Sequence, residues 1–189
     1  MTNINGDVKR YINLLKDTTE KKKLLNSFKM IKTHNFTLLY ARRLSSYEVI
    51  LQDKNKVEIG YFTISLNNRF TMMMSITVDD EYMGGKLRKT GLSRLLICSL
   101  LFCLKDDTFR KDQLLFIDVD ASYSNGKSFW ENIGMITCRF DEVSRGGIRK
   151  TNLDGSGCEK VITYTNLCKW VFGVPMGNNQ VVVSPFFKI

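Results

Sequence analysis

Apolar residues first recur at helical spacing. Val8, Tyr11, Ile12 and Leu15 form one stripe, and after the polar D-T-T-E break Leu24, Leu25, Phe28 and Ile31 form a second. Two amphipathic helices, or one interrupted helix, are therefore expected over Ile4 to Ile31. The pattern then changes to extended segments at Phe36 to Arg42, Ser46 to Gln52, Val57 to Leu66 and Phe70 to Val78. The turn signals D-K-N-K and L-N-N-R between them predict antiparallel hairpins. In the last segment Phe70, Met72, Met74, Ile76 and Val78 share one face, with Thr71, Met73, Ser75 and Thr77 on the other. The three consecutive methionines suit a strand covered on both sides.

From Gly84 to Lys105 the chain reads G-G-K-L-R-K-T-G-L-S-R-L-L-I-C-S-L-L-F-C-L-K. The apolar run is too long for a typical strand and predicts a buried helix opened by a basic, glycine-rich loop. Leu114 to Val119, L-L-F-I-D-V, follows as a buried strand, and the helix between makes it parallel to the Phe70 to Val78 strand. Ala121 to Met135 predicts a short helix capped by Ser124 or Asn125, with Phe129, Trp130 and Ile133 on its apolar face and Gly134 at its end. Strands are expected at Ile136 to Phe140 and Lys160 to Asn166, across a long basic, glycine-rich loop. The tail, V-F-G-V-P-M-G-N-N-Q-V-V-V, suggests one more hairpin.

The basic loop is the chemical feature of this chain. The first N–H groups of a helix lack intrahelical partners and carry the positive end of its dipole, so a loop opening into a helix can hold phosphate. Gly91 allows close backbone approach, Thr90 or Ser93 offers a cap oxygen, and Lys86, Arg88, Lys89 and Arg94 add positive charge. The plainer alternative is an ordinary turn with a solvated basic face. The loop also lies at the carboxyl end of the preceding strand, where open α/β sheets bind ligands.

Composition narrows the choices. At 189 residues the chain fits one domain that hides about 70% of its unfolded surface. No signal-peptide pattern or spanning segment stands out, so a cytoplasmic location without membrane association is expected. Five cysteines in no C-x-x-C pair, with His34 as the single histidine, give no metal-ligand spacing. Reduced thiols in an intracellular compartment are the simplest reading. The net charge of +9 calls for an anionic partner, whether nucleic acid, an acidic protein or a polyphosphate cofactor, or else reflects a solvated basic surface.

Two patterns in this order resemble the GNAT N-acetyltransferase superfamily. Its cofactor loop, Arg/Gln-x-x-Gly-x-Gly/Ala between a strand and a helix, is similar to Arg88-Lys-Thr-Gly91-Leu-Ser93. Its aromatic pair followed by Glu-x-x-Gly-Phe resembles Phe129-Trp130-Glu131-Asn132-Ile133-Gly134-Met135. The resemblance implies a mixed, mostly antiparallel α/β sheet whose central parallel strands splay into a V, flanked by helices. It covers about Ser46 to Asn166, giving one GNAT-like domain with an N-terminal helical segment (1–35), a core (46–166) and a C-terminal extension (167–189). It also implies bound acetyl-CoA. Backbone N–H groups of Arg88, Lys89, Thr90, Gly91, Leu92 and Ser93 would receive the pyrophosphate. Backbone groups of Ile76, Thr77 and Val78 would pair with pantetheine and polarise the thioester, and Asn125 would lie near the cofactor arm.

The chain departs from the family at its acid and base. Trp130 stands where a tyrosine usually serves as acid, and its indole is a very poor proton donor, so Tyr123 is the substitute candidate. Where some members carry a glutamate in the strand this chain has Met72 to Met74, leaving Glu81, Asp80 or Asp120 as bases acting through water. Met83 to Leu87 resembles an insertion before the Arg88 pattern. The expected function is acetyl-CoA-dependent acetylation of a primary amine on a protein or a small molecule. The alternative is a non-catalytic module of the same fold that binds nucleic acid or an acidic protein through its basic surface. A P-loop enzyme is disfavoured, because Lys89-Thr90 precedes Gly91 rather than following a glycine.

Overall fold

A computed structural model describes residues 1–66, 71–79, 82, 84, 87, 89–104, 114–118, 133–138 and 159–173. These fall into two compact units. The first takes in the described parts of Met1–Ser65, Ser75–Asp107 and Val171–Val174, and the second those of Leu66–Met74 and Thr108–Trp170.

The first unit begins with strand β1 (Thr2–Asn3), followed by helices α1 (Asn5–Leu14) and α2 (Thr18–Thr33). The break between the helices falls at the polar residues the pattern marked. Asp17 caps α2, its carboxylate accepting the Glu20 N–H at 2.9 Å. Val8 and Ile12 of α1, and Leu24, Phe28 and Ile31 of α2, are buried, as the two stripes require. Strands β2 (Thr37–Arg42), β3 (Ser46–Gln52) and β4 (Glu58–Leu66) form an antiparallel meander. The D-K-N-K turn is held by Asp53, whose Oδ1 accepts the N–H groups of Asn55 at 2.8 Å and Val57 at 2.9 Å.

Cross-strand pairing puts the apolar positions of this meander on one face. Leu38 lies opposite Leu51, Val49 opposite Phe62 and Tyr47 opposite Ile64, all buried. Helix α3 (Leu92–Cys103) packs against β2, β3, α1 and α2. Most of its residues from Leu92 to Leu101 are buried, including the unbroken run Leu95 to Leu101, so α3 has no wide polar stripe and serves as a central core element. Its one buried hydroxyl, Ser99, donates to Leu95 O at 2.7 Å.

The N-terminus also covers the free side of β2. Thr2 and Asn3 pair with Tyr40 and Leu39, and the Ile4 N–H donates to Leu38 O at 3.0 Å. Asn5 extends this arrangement with its side chain: Nδ2 donates to Phe36 O at 3.1 Å and Oδ1 accepts from Leu38 N at 2.7 Å.

In the second unit the start of β5 (Thr71–Val78) pairs parallel with β6 (Leu114–Asp118), Thr71 opposite Leu114 and Met73 opposite Phe116. The parallel pairing read from the sequence is therefore present, and every other strand pair whose register is described is antiparallel. Strand β6 pairs antiparallel with β8 (Glu159–Thr163), which pairs antiparallel with β7 (Ile136–Cys138). The last expected strand needs correction: it ends at Thr163, and Tyr164 opens helix α4 (Tyr164–Phe172). Thr163 Oγ1 accepts the Asn166 N–H at 3.2 Å, and Tyr164, Leu167, Cys168, Val171 and Phe172 are buried at helical spacing. Residue 167, where an extension was expected to start, lies inside this helix. The L-N-N-R turn, the helix expected at Ala121 to Met135 apart from the buried Ile133 and Met135 and the Gly134 turn, the long basic loop and the tail hairpin lie outside the described residues. Among the described residues no helix is long and apolar enough to cross a membrane.

Candidate active site

Helix α3 opens on Gly91, which caps it in a left-handed conformation with φ 79°. The N–H of Leu95 is bonded to Gly91 O at 3.0 Å, so the N–H groups of Leu92 and Ser93 belong to the first turn, ahead of the intrahelical ladder. Gly91 has no side chain with which to cap them. Lys89 is left-handed too, at φ 58°. Between these two, Thr90 donates its hydroxyl to Leu87 O at 2.7 Å, and Leu87 is buried. The loop is thus pinned by an apolar anchor and a side-chain hydrogen bond, leaving Lys89 exposed. The cap expected from Thr90 or Ser93 is Gly91 itself. Leu92 turns its side chain into the core, so any ligand contact it makes is through its N–H.

Glycine at 91 is required twice over. Its φ lies where L side chains are strained, and a Cβ would land on Ser27 Oγ of α2. Ser27 is buried and donates to Lys23 O at 3.2 Å. A second tie between α2 and α3 comes from Arg94, whose guanidinium donates to the Glu20 carboxylate. Both side chains are only 14% exposed. Burial pulls Arg94 below the ordinary guanidinium value, while Glu20 works in the opposite direction. Sequence reading placed this charge in the anion cradle; the structure commits it to α2.

The end of β5 offers a second set of polar groups. Asp79 N–H donates to Ile59 O of β4 at 2.7 Å. Backbone groups alternate along a strand, so Thr77 also faces β4, while Ile76 and Val78 direct their N–H and C=O to the opposite edge. A Cβ at Gly60 would stand 2.6 Å from Thr77 O and 3.1 Å from Val78 Cα, so β4 approaches β5 here as closely as only glycine allows. Of the three predicted pantetheine contacts, Ile76 and Val78 therefore turn their backbone groups away from β4, and Thr77 turns its own toward β4.

Beyond β5 the chain is clamped by a pair that sequence reading missed. Tyr82 OH donates to Asp53 Oδ2 at 2.9 Å, and Tyr82 N–H donates to Asp79 Oδ1 at 3.0 Å. Burial pushes the Asp53 carboxyl up, but the bonds from Val57, Tyr82 and Asn55 outweigh it and leave the group below its ordinary value. The bond to Asp53 raises the Tyr82 phenol, with burial adding to it. Tyr82 is therefore a poor acid and a good fastener. Its ring meets Phe36 edge-on at 6.1 Å, and His34 stacks on Phe36 at 5.3 Å, giving the single histidine a packing role.

The catalytic candidates Tyr123, Glu81 and Asp120, and the cofactor candidates Arg88 and Asn125, lie outside the described residues, as do Lys86, Asp80 and Trp130. Burial pushes the Cys168 thiol up to about 12 and the Cys98 thiol higher still, so neither is a thiolate nucleophile near neutrality. Among the described residues no group of three or more His, Cys, Asp or Glu side chains could hold a metal ion.

No family model matches the chain, and no curated protein matches it. Several solved structures are similar in shape. One is an acetyltransferase from Streptococcus agalactiae, 15% identical, covering 74% of this chain and 76% of that one with a TM-score of 0.48. Another is an acetyltransferase of the GNAT family from Staphylococcus aureus, 9% identical, covering 85% and 92% with a TM-score of 0.45. A third is a mutant form of spermidine/spermine N-acetyltransferase from Vibrio cholerae, 12% identical, covering 87% and 92% with a TM-score of 0.44. At these identities and scores the likeness carries no assignment by itself.

Proposed function

We propose that this chain is a GNAT-fold N-acetyltransferase that moves the acetyl group of acetyl-CoA to a primary amine, in a reducing intracellular compartment. The observation that carries this reading is the start of α3. A left-handed glycine after a basic loop opens an uncapped helix that follows β5 and precedes β6 in the sequence, two strands that pair in parallel. Support also comes from Ile76 and Val78, whose backbone groups face the β5 edge away from β4. In this reading the N–H groups of Leu92 and Ser93, with Lys89, Thr90, Gly91 and Arg88, receive the pyrophosphate. The Arg94 side chain lies outside this cradle, because it is held by Glu20.

The chemistry is direct attack. The neutral amine nitrogen adds to the thioester carbonyl carbon, and the oxyanion that develops is held by a backbone N–H of β5. Collapse breaks the C–S bond, the amine proton goes to Glu81 or Asp120 through water, and Tyr123 supplies a proton to the departing thiolate. The acceptor class is a primary amine on a protein or a small molecule. No resident metal enters this scheme. The buried thiols of Cys98 and Cys168, which are in no disulfide, suit a reducing compartment.

Calorimetric titration with acetyl-CoA and with CoA tests the cofactor site, followed by an amine panel with labelled acetyl-CoA. Arg88→Ala is the better cradle variant, because Gly91→Glu would also drive α2 away from α3. Binding by the wild type that weakens in Arg88→Ala is expected. No binding by the wild type would overturn the reading and favour a non-catalytic module of the same fold that uses its charge of +9 to hold an acidic partner.

A further inference from the structure

Helices α1 and α2 carry a feature that acetyl transfer does not use. A groove of about 400 Å³ opens where the first turn of α1 meets the last turns of α2 and the start of β2. Phe28, Ile31 and Phe36 give it an apolar floor, Gly6 forms one wall, and Lys9 and Lys32 stand at its rim. From this rim Lys29 and Lys22 continue back along α2, both exposed. Lys9, Lys22, Lys29 and Lys32 form no ion pair among the described residues. Residues 1–33 contain three acids: Glu20 is held by Arg94 and Lys23, Asp17 caps α2, and Asp7 follows Gly6.

We propose that this face is a docking surface for an acidic peptide segment bearing one large apolar side chain, the carboxylates lying along Lys22, Lys29 and Lys32 and the apolar group seated in the groove. The dimensions agree. Lys32 lies ten positions after Lys22 in α2, about 15 Å along the helix, which an extended peptide spans in roughly five residues. The charges are complementary, and the apolar floor supplies an anchor that charge alone lacks. Nucleic acid is the weaker fit. The exposed large hydrophobic residues among those described are Met1, Leu14, Leu44 and Val57, none of them an aromatic platform for a base.

The test is fluorescence anisotropy of the full chain with a labelled peptide, Asp-Glu-Asp-Glu-Phe. Expected is salt-sensitive binding that falls about tenfold or more in the double variant Lys29→Glu/Lys32→Glu. It should fall similarly in Gly6→Trp, which fills the groove from a position where a Cβ meets nothing within 4 Å. Replacing the peptide's phenylalanine by serine should weaken binding too. Thermal melts establish that each variant is folded. Binding indifferent to both variants, or absent at about millimolar peptide, overturns the proposal. So does equal binding of a labelled oligothymidylate with the same variant sensitivity, which would assign the face to nucleic acid. None of these readouts needs acetyl-CoA, so this surface and the cofactor site fail or stand separately.

Discussion

Gly6 and Gly91 both stand at the start of a helix, and they do opposite things. At Gly6 a Cβ would meet nothing within 4 Å; at Gly91 it would strike Ser27 Oγ, on a backbone already at φ +79°. The first glycine leaves space beside α1, and the second removes the space between α2 and α3. A glycine in a helix-opening sequence therefore carries no fixed meaning. What decides it is the element packed against it, and at α3 that element is α2, which also holds Arg94 through Glu20.

The sharpest way to break this contrast is to remove the ionic tie beside Gly91. Arg94→Leu leaves Glu20 with only the half-exposed Lys23, and unfolding in urea should show a loss of about 2 kcal/mol, below the ~3–5 of a fully buried pair. A loss under about 0.5 kcal/mol would mean that the pair behaves as a surface one. Next, Gly91→Ala should cost about 1–2 kcal/mol from the left-handed backbone, plus the collision with Ser27. Adding Ser27→Gly should recover the collision alone, and a double-mutant cycle with no coupling would remove Ser27 from the account. At the other helix, Gly6→Ala should stabilise the protein by about 0.5 kcal/mol in the same urea assay, because it restricts the unfolded chain without a steric cost.

The smallest effect is one of pH. Asp53 sits below its ordinary value when folded, so its contribution is present above the unfolded pKa, near 3.8, and is lost as pH falls through the folded one. Tyr82 is raised, so its contribution is full below the unfolded pKa, near 10.0, and is lost as pH climbs through the folded value. Tyr82→Phe should flatten the alkaline limb and soften the acid one in thermal melts across pH. Unchanged limbs would remove the bond between them as the source.

Local pattern was enough for α1, α2, β2 to β6 and α3, because each shows its period, or for α3 and β6 its unbroken apolar run, within its own residues. It was not enough for α4. Val161, Ile162, Thr163, Tyr164 and Thr165 are strand formers, and their run conceals that Thr163 is a cap and that the apolar spacing becomes helical from Tyr164. Strand β1 is two residues long and has no period to read. At the candidate site, the loop and its glycine were legible, but the destination of Arg94 was not, since Glu20 lies 74 positions away. The Tyr82 to Asp53 clamp spans 29 positions and was missed for the same reason. Charge in a sequence shows that a cation exists, not which partner the fold gives it.

Asn5 has one further consequence, for how the molecule behaves in company. With Thr2, Asn3 and Ile4 it occupies the outer N–H and C=O groups of β2 from Phe36 to Tyr40, its side-chain amide standing in for a strand residue. A six-residue strand that would otherwise offer an open ladder to any passing chain is covered along this stretch by four residues of the same chain. A protein clipped after Asn5 would lose Ile4 from the edge of the core and the first residue of α1, keep α2 and α3, and acquire an adhesive border, so that self-association would join the loss of stability among its defects.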